Sequence, residues 1–201
     1  MFSEAIIAAA QIVPASRVTA RAVGVNPTRA GFLEVLRDMG AGLAMEPAGD
    51  RGGEPVADLH AWPEPLRACR LGGEVVTQAI DEVPIACALG ARAAGVTTVS
   101  DAGELRVKES DRIAGTVRLL RAFGVACEER PDGLTVEGTE APLQGAEVDS
   151  DGDHRIAMAA AVLALVARAP TTIRDVDCIA TSFPKFVATL RALGGRVDVR
   201  A

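Results

Sequence analysis

Three short segments of this chain carry residue types that could hold an anion and move a proton. The densest is Arg106-Val107-Lys108-Glu109-Ser110-Asp111-Arg112. A carboxylate beside an ammonium can have its pKa tuned for proton transfer, and an arginine fork can grip a phosphate or carboxylate through parallel bonds. Ser110 or Asp111 would also cap a helix, and charge runs are usually solvated faces. One lysine, two arginines and two acids between apolar elements are more than a cap requires. The second segment, Asp153-His154-Arg155, enters the most hydrophobic helix of the chain. Asp153 reads as its N-cap and His154 as an exposed neighbour, whereas an arginine at the mouth of a buried helix needs an anionic partner. The third, Asp81-Glu82-Val83-Pro84, has Pro84 as a helix-start signal and Asp81 in the place of a cap. Lysine is scarce: among 21 Lys and Arg residues only Lys108 and Lys185 are lysine. Scarcity marks them as places where a compact ammonium matters, although chance alone explains it as simply.

The elements that must position these residues recur loosely three times. Each unit has an Ala-rich helix, a β-like run, a loop, a second helix closed by glycine, and a strand-like stretch. In the first unit these are Glu4 to Ile12, Arg17 to Val23, a helix holding Phe32, Leu33, Val35 and Leu36 up to Gly40, and Gly42 to Met45. In the second they are Val83 to Ala94, Val96 to Val99, a helix reaching Leu119, Leu120 and Phe123 before Gly124, and Val125 to Glu128. The third has Arg155 to Ala167, Thr171 to Ile173, a helix with Phe186, Val187 and Leu190 before Gly194, and Arg196 to Val199. The spacing is too irregular for a solenoid and suits α/β units with loop insertions such as the Gly/Pro-rich stretch Pro47 to Pro55. The first helix of each unit is apolar all round and is expected inside, with sheets outside; a two-layer α/β sandwich fits the pattern equally. The loops before the second helices are Asn26-Pro27-Thr28-Arg29, the Arg106 to Arg112 cluster and Ala180-Thr181-Ser182-Phe183-Pro184. If the units match, these loops share one end of the domain, where converging helix N-termini suit an anion.

Composition narrows the class. Hydrophobic residues are 49% and charged residues 24%, an ordinary globular balance. A net charge of −6 leaves no basic footprint for nucleic acid and repels anions, so an anionic substrate needs a local cationic cluster. Cys69, Cys87, Cys127 and Cys178 form no CxxC pair, which suits neither zinc nor a disulfide framework and fits a reducing cytoplasm. The run Ile156 to Ala167 is shorter than the about 20 residues a membrane span needs, and the N-terminus, with Glu4 and no basic region, does not read as a signal peptide.

Together, Asp81-Glu82-Val83-Pro84, Leu105-Arg106-Val107-Lys108-Glu109-Ser110-Asp111-Arg112-Ile113, Asp153-His154-Arg155-Ile156-Ala157-Met158 and Ser182-Phe183-Pro184 resemble the signature of the 5-enolpyruvylshikimate-3-phosphate synthase family, in order and spacing. The resemblance covers nearly the whole chain but only about the later half of a family member. It implies an α/β (α+β) inside-out barrel of βαβαββ-like units with buried parallel helices. Residues 1–201 would then be a single C-terminal domain with pseudo-repeats at about 3–75, 81–138 and 153–201, the family's N-terminal half being absent. It also implies transfer of the enolpyruvyl group of phosphoenolpyruvate to the 5-hydroxyl of shikimate 3-phosphate, with release of phosphate and no metal or organic cofactor. On this resemblance Asp81 is the substrate-contacting aspartate and candidate base, and Lys108 and Glu109 are the pair for substrate binding and proton transfer. Arg112 and Arg155 are two of the arginines that hold phosphoenolpyruvate.

The chain also departs from the family. Many members place a lysine where Thr181 stands, while a second class shares this Ala-Thr-Ser-Phe-Pro form; Lys185, a turn later, either substitutes or is solvated. The family's N-terminal lysine, its other phosphoenolpyruvate arginine and its Ser-Ser-Gln phosphate site have no counterpart here. The expected partners are therefore the two substrates and a missing N-terminal domain, without nucleic acid or membrane. The chain alone is expected to be inactive. A relative of the UDP-N-acetylglucosamine enolpyruvyl transferase ranks second, because that enzyme lacks the Lys-Glu-Ser-Asp-Arg run. A non-catalytic anion-binding module of the same fold is the rival from another class.

Overall fold

The computed structural model describes residues 4–26 and 30–200. Three alanine-rich helices, α1 (Glu4–Ile12), α4 (Val83–Gly90) and α6 (His154–Ala164), form the centre and pack against one another pairwise. Every residue of α4 is buried, as are Ala5 to Gln11 of α1 and most of α6. Small alanine side chains let the three backbones come close, and an apolar surface all round leaves no face for water. Glu4 at the start of α1, Asp81 just before α4 and Arg155 in the first turn of α6 line one small pocket. The three helices therefore start at the same end and run the same way.

The strands wrap this centre. β1 (Val18–Gly24), β2 (Gly42–Arg51) and β3 (Glu54–Trp62) form an antiparallel sheet in the order β1-β3-β2, with α2 (Gly31–Asp38) between β1 and β2. The second sheet has the order β4-β5-β7-β6: β4 (Arg70–Leu71), β5 (Val96–Val99), β6 (Cys127–Arg130) and β7 (Gly133–Glu137). There α3 (Gly73–Gln78) and α4 lie between β4 and β5, and α5 (Arg112–Ala122) between β5 and β6. The wiring β5-α5-β6-β7 repeats that of β1-α2-β2-β3. β8 (Glu147–Asp149) and β9 (Thr172–Arg174) flank α6 as a parallel pair, just as β4 and β5 flank α4. α7 (Cys178–Ser182) and α8 (Phe186–Ala192) follow. Helices inside and sheets outside make this an inside-out α/β barrel. Among the described residues no helix is long and apolar enough to cross a membrane.

Local chemistry explains the joints. Gly40, Gly124 and Gly194 follow α2, α5 and α8 with φ of +72°, +79° and +94°, the left-handed cap that glycine adopts freely. Gln11, buried in α1, donates to the Gly42 carbonyl at 3.1 Å and accepts from the Gly42 amide at 3.0 Å, tying the inner helix to β2. Gly42 has no room for a side chain, since a Cβ there would lie 2.4 Å from the Trp62 carbonyl oxygen.

The structure corrects several expectations. Pro47 to Pro55 is no loop insertion: it is the far half of β2, a turn and the start of β3. Pro47 is tolerated because β2 is an edge strand and its register shifts between Pro47 and Asp50. Arg196 to Val199 forms no strand, for no described segment pairs with it. α4 and α6 stop short of Ala94 and Ala167 because those residues instead form matching parallel bridges, Arg67 to Ala94 and Leu143 to Ala167. Asp81 is not the cap of α4; it lies inside a 3₁₀ turn, Ile80–Glu82, that leads into the helix.

Candidate active site

The site forms where the inner helices begin. Asp153 caps α6 by accepting from the Arg155 amide at 2.8 Å, and Asp111 caps α5 by accepting from the Ala114 amide at 3.0 Å. Capping fixes the first turns and so aims Arg155 and Arg112, which lie in those first turns, at a common point. That point is the 3₁₀ turn carrying Asp81. Its carboxylate lies 2.8 Å from Arg112 Nη1, 3.8 Å from Arg155 Nη2 and 3.9 Å from Lys108 Nζ.

Arg112 is only 1% exposed, and each nitrogen of its guanidinium meets a different carboxylate. Nε donates to Asp153 at 2.8 Å, Nη1 to Asp81 at 2.8 Å and Nη2 to Glu109 at 2.5 Å. Burial works against its charge, yet Asp153, Glu109 and Asp81 hold its pKa above the ordinary arginine value. Asp153, fully buried, would be raised by burial, but the Arg112 side chain, the Arg155 amide and the Ser110 hydroxyl hold it below the usual carboxylate range. Lys108 pairs with Glu104 on its other side, and Glu109 stays largely exposed.

Arg155 is oriented differently. Its Nε donates to His154 Nε2 at 3.2 Å and its Nη1 to Glu82 at 2.9 Å, leaving Nη2 toward Asp81. His154 is half-buried rather than an exposed neighbour; burial, and then the Arg155 charge, push its pKa down, which keeps the ring neutral and able to accept. Glu82 is raised, chiefly by burial; the Arg155 charge only partly offsets this, and Glu4 and Asp81 add to it.

Asp81, Lys108, Glu109, Arg112 and Arg155 thus belong to one connected charge network. Each of the three guanidinium nitrogens of Arg112 is engaged by a carboxylate. Arg106, at the head of the same charged run, turns away: it binds Asp111, Glu129 and the carbonyls of Arg130 and Pro131, clamping the β6–β7 turn onto the start of α5. Lys185 is exposed at the start of α8, and the Thr181 hydroxyl bonds back to the Cys178 carbonyl. Pro27, Thr28 and Arg29 of the first loop lie outside the described residues. Sequence reasoning missed Glu82, Glu104 and the ring of His154 as members of the network. The signal for Glu82 was its adjacency to Asp81, and the signal for Glu104 its position four residues before Lys108 in a helical turn.

Comparison with known proteins places the chain in a family. The family model for EPSP synthase (3-phosphoshikimate 1-carboxyvinyltransferase) matches residues 3–190. The chain is 46% identical over 187 residues to the 3-phosphoshikimate 1-carboxyvinyltransferase of a Synechococcus species, covering 93% of this chain and 42% of that protein. It is 50% identical over 184 residues to the enzyme of that name from a Geobacter species, covering 92% of this chain and 43% of that protein. The structure superposes on EPSP synthase from Acinetobacter baumannii with a TM-score of 0.95 at 37% identity, covering 100% of this chain and 46% of that one. The chain spans less than half the length of the curated relatives it matches. With fold, motifs and family match in agreement, the chain belongs to the EPSP synthase family.

Proposed function

We propose that this chain forms one wall of an active site that transfers the enolpyruvyl group of phosphoenolpyruvate to the 5-hydroxyl of shikimate 3-phosphate. The observation that carries the reading is the placement of Lys108, Arg112 and Arg155 around the single carboxylate of Asp81. In the reading, Arg112 and Arg155 grip the carboxylate and phosphate of phosphoenolpyruvate, where planar forks add geometric precision to charge. Asp81 accepts the proton of the 5-hydroxyl as its oxygen attacks C2, and the Lys108–Glu109 pair delivers a proton to C3. Loss of a proton from C3 with departure of inorganic phosphate from C2 then restores the double bond. We place residues 1–201 in the C-terminal part of such an enzyme, with three repeats near 3–75, 81–138 and 153–201. All four cysteines are free, in keeping with a cytoplasmic setting.

Within this wall the cations Lys108, Arg112 and Arg155 face the carboxylates Asp81, Glu82, Glu104, Glu109 and Asp153. Acids outnumber bases, so the wall by itself is a poor anion trap, and further cationic contacts have to come from outside these residues. The purified chain is therefore expected to release no phosphate from the two substrates above the level of a Lys108→Ala control. Turnover above that control would overturn the reading of this chain as half a site.

A further inference from the structure

An arginine whose guanidinium must meet a substrate has to be held without being used up. Arg155 is 8% exposed in the first turn of a helix whose neighbours are almost all buried, so its side chain has little freedom of its own. Its nitrogens divide the work. Nε donates to His154 at 3.2 Å and Nη1 donates to Glu82 at 2.9 Å, both at hydrogen-bonding distance. Nη2 stands 3.8 Å from Asp81, beyond a hydrogen bond and within reach of an incoming anion. Arg155 and Asp81 line the small pocket shared with Glu4, Ala5, Ile85 and Met158, whereas Glu82 is not among its lining residues. Glu82 stands behind the arginine, on the turn leading directly into the fully buried α4, and its side chain is 14% exposed.

We infer that Glu82 is a positioning residue, which fixes the back edge of the Arg155 guanidinium so that its free edge faces the phosphoenolpyruvate site. This rests on the function proposed above. Adjacent carboxylates then have opposite duties on one guanidinium: Glu82 anchors it from behind, and Asp81 shares the substrate side with it. The groups facing Glu82 are Arg155 from α6, Glu4 from α1 and Asp81 on its own turn. Burial raises Glu82 above the ordinary carboxylate range, so protonation, and with it loss of the charged anchor, comes at a higher pH than for an exposed glutamate.

The test uses the 201-residue chain and its Glu82→Gln and Glu82→Ala variants, with unchanged thermal unfolding of the Gln variant as the folding control. In the unliganded protein, the Arg155 Nε–H signal in ¹⁵N-resolved NMR, identified by its loss in Arg155→Lys, is expected to be sharp in wild type and broadened in Glu82→Ala. An Arg155 signal equally sharp in both would overturn the inference. For phosphoenolpyruvate followed by calorimetry, the affinity ratio of wild type to Glu82→Gln is expected to be about threefold to tenfold above neutral pH, the range for a charged against a neutral hydrogen bond. It should fall toward one as pH drops through the raised pKa of Glu82, because wild type then also presents a neutral group. A ratio that stays constant with pH would assign Glu82 a purely structural role and sink the proposal. If wild type binds no phosphoenolpyruvate at any pH while the Arg155 signal still broadens in Glu82→Ala, the anchoring stands and the substrate assignment of the site fails instead.

Discussion

At the residue scale, Arg112 and Asp153 form an ion pair 2.8 Å apart with both side chains buried. Removing one partner strands the other charge in a poorly solvated place, which typically costs about 3–5 kcal/mol. Arg112→Ala should therefore lower unfolding free energy by that amount in a denaturant titration, far more than an exposed pair such as Arg174–Glu147 would cost. The sign of the pH effect follows from the depressed pKa of Asp153. Its stabilising contribution is complete above the unfolded value of about 3.9 and disappears as pH falls through the lower folded value. Stability curves of wild type and Asp153→Asn should thus lie apart at neutral pH and converge only below about pH 4. Glu109 acts oppositely on function. It occupies a donor of Arg112 from a largely exposed position, so Glu109→Gln should strengthen binding of inorganic phosphate about twofold to threefold, as read by calorimetry, a screened pair being weak. The charge cluster and the need of Arg155 for an anionic partner were legible in the sequence. That Arg112 would be caged was not, because two of its partners stand 31 and 41 positions away and only the fold brings them near.

At the element scale, helices were easier to read than strands. The bounds Glu4 to Ile12 expected for the first helix are those observed, because alanine propensity and a buried, uniformly apolar surface are properties of the segment itself. A strand depends on a neighbour. The stretch Arg196 to Val199 alternates in character yet remains unpaired among the described residues, while Pro47 to Pro55, full of turn residues, is held in a hairpin by β3. The bond between Gln11 and Gly42 joins these two kinds of element and invites a direct test. Gln11→Ala leaves both backbone groups of Gly42 without the partner they have now, so a loss of about 2–3 kcal/mol is expected in thermal or chemical unfolding. Gly42→Ala should be worse tolerated than alanine at exposed Gly49, judged by soluble yield and unfolding midpoint, although glycine there has φ of +90°.

At the scale of the whole molecule, three sheets enclose three parallel helices whose starts share one end, and the motif residues gather there although they lie far apart in sequence. The net charge of −6 and the surplus of acids at the rim act together against a free anion. The chain should accordingly bind phosphoenolpyruvate no tighter than about 1 mM, a free energy of about −4 kcal/mol. A micromolar constant by calorimetry would show that the arginines are already available. The sequence put Asp81 and Asp153 each just before an Ala-rich helix, and that placement pointed to the shared end. Sequence could not show that the acids of this wall outnumber its bases, since that balance is a property of side chains meeting in space.

The carboxylate that begins α6 also grips Arg112, so helix initiation and site geometry hang on one side chain. Position 153 should consequently behave, in a saturation screen of a complete enzyme carrying this segment, as a place where cellular abundance and growth complementation fall together. Lys108, partly exposed and, among the described residues, paired only with the exposed or half-exposed Glu104 and Asp81, should show the contrasting profile of abundant but silent protein. Drift at 153 would be purged by proteolysis before catalysis was ever sampled, which makes that aspartate a marker of foldedness as much as of chemistry.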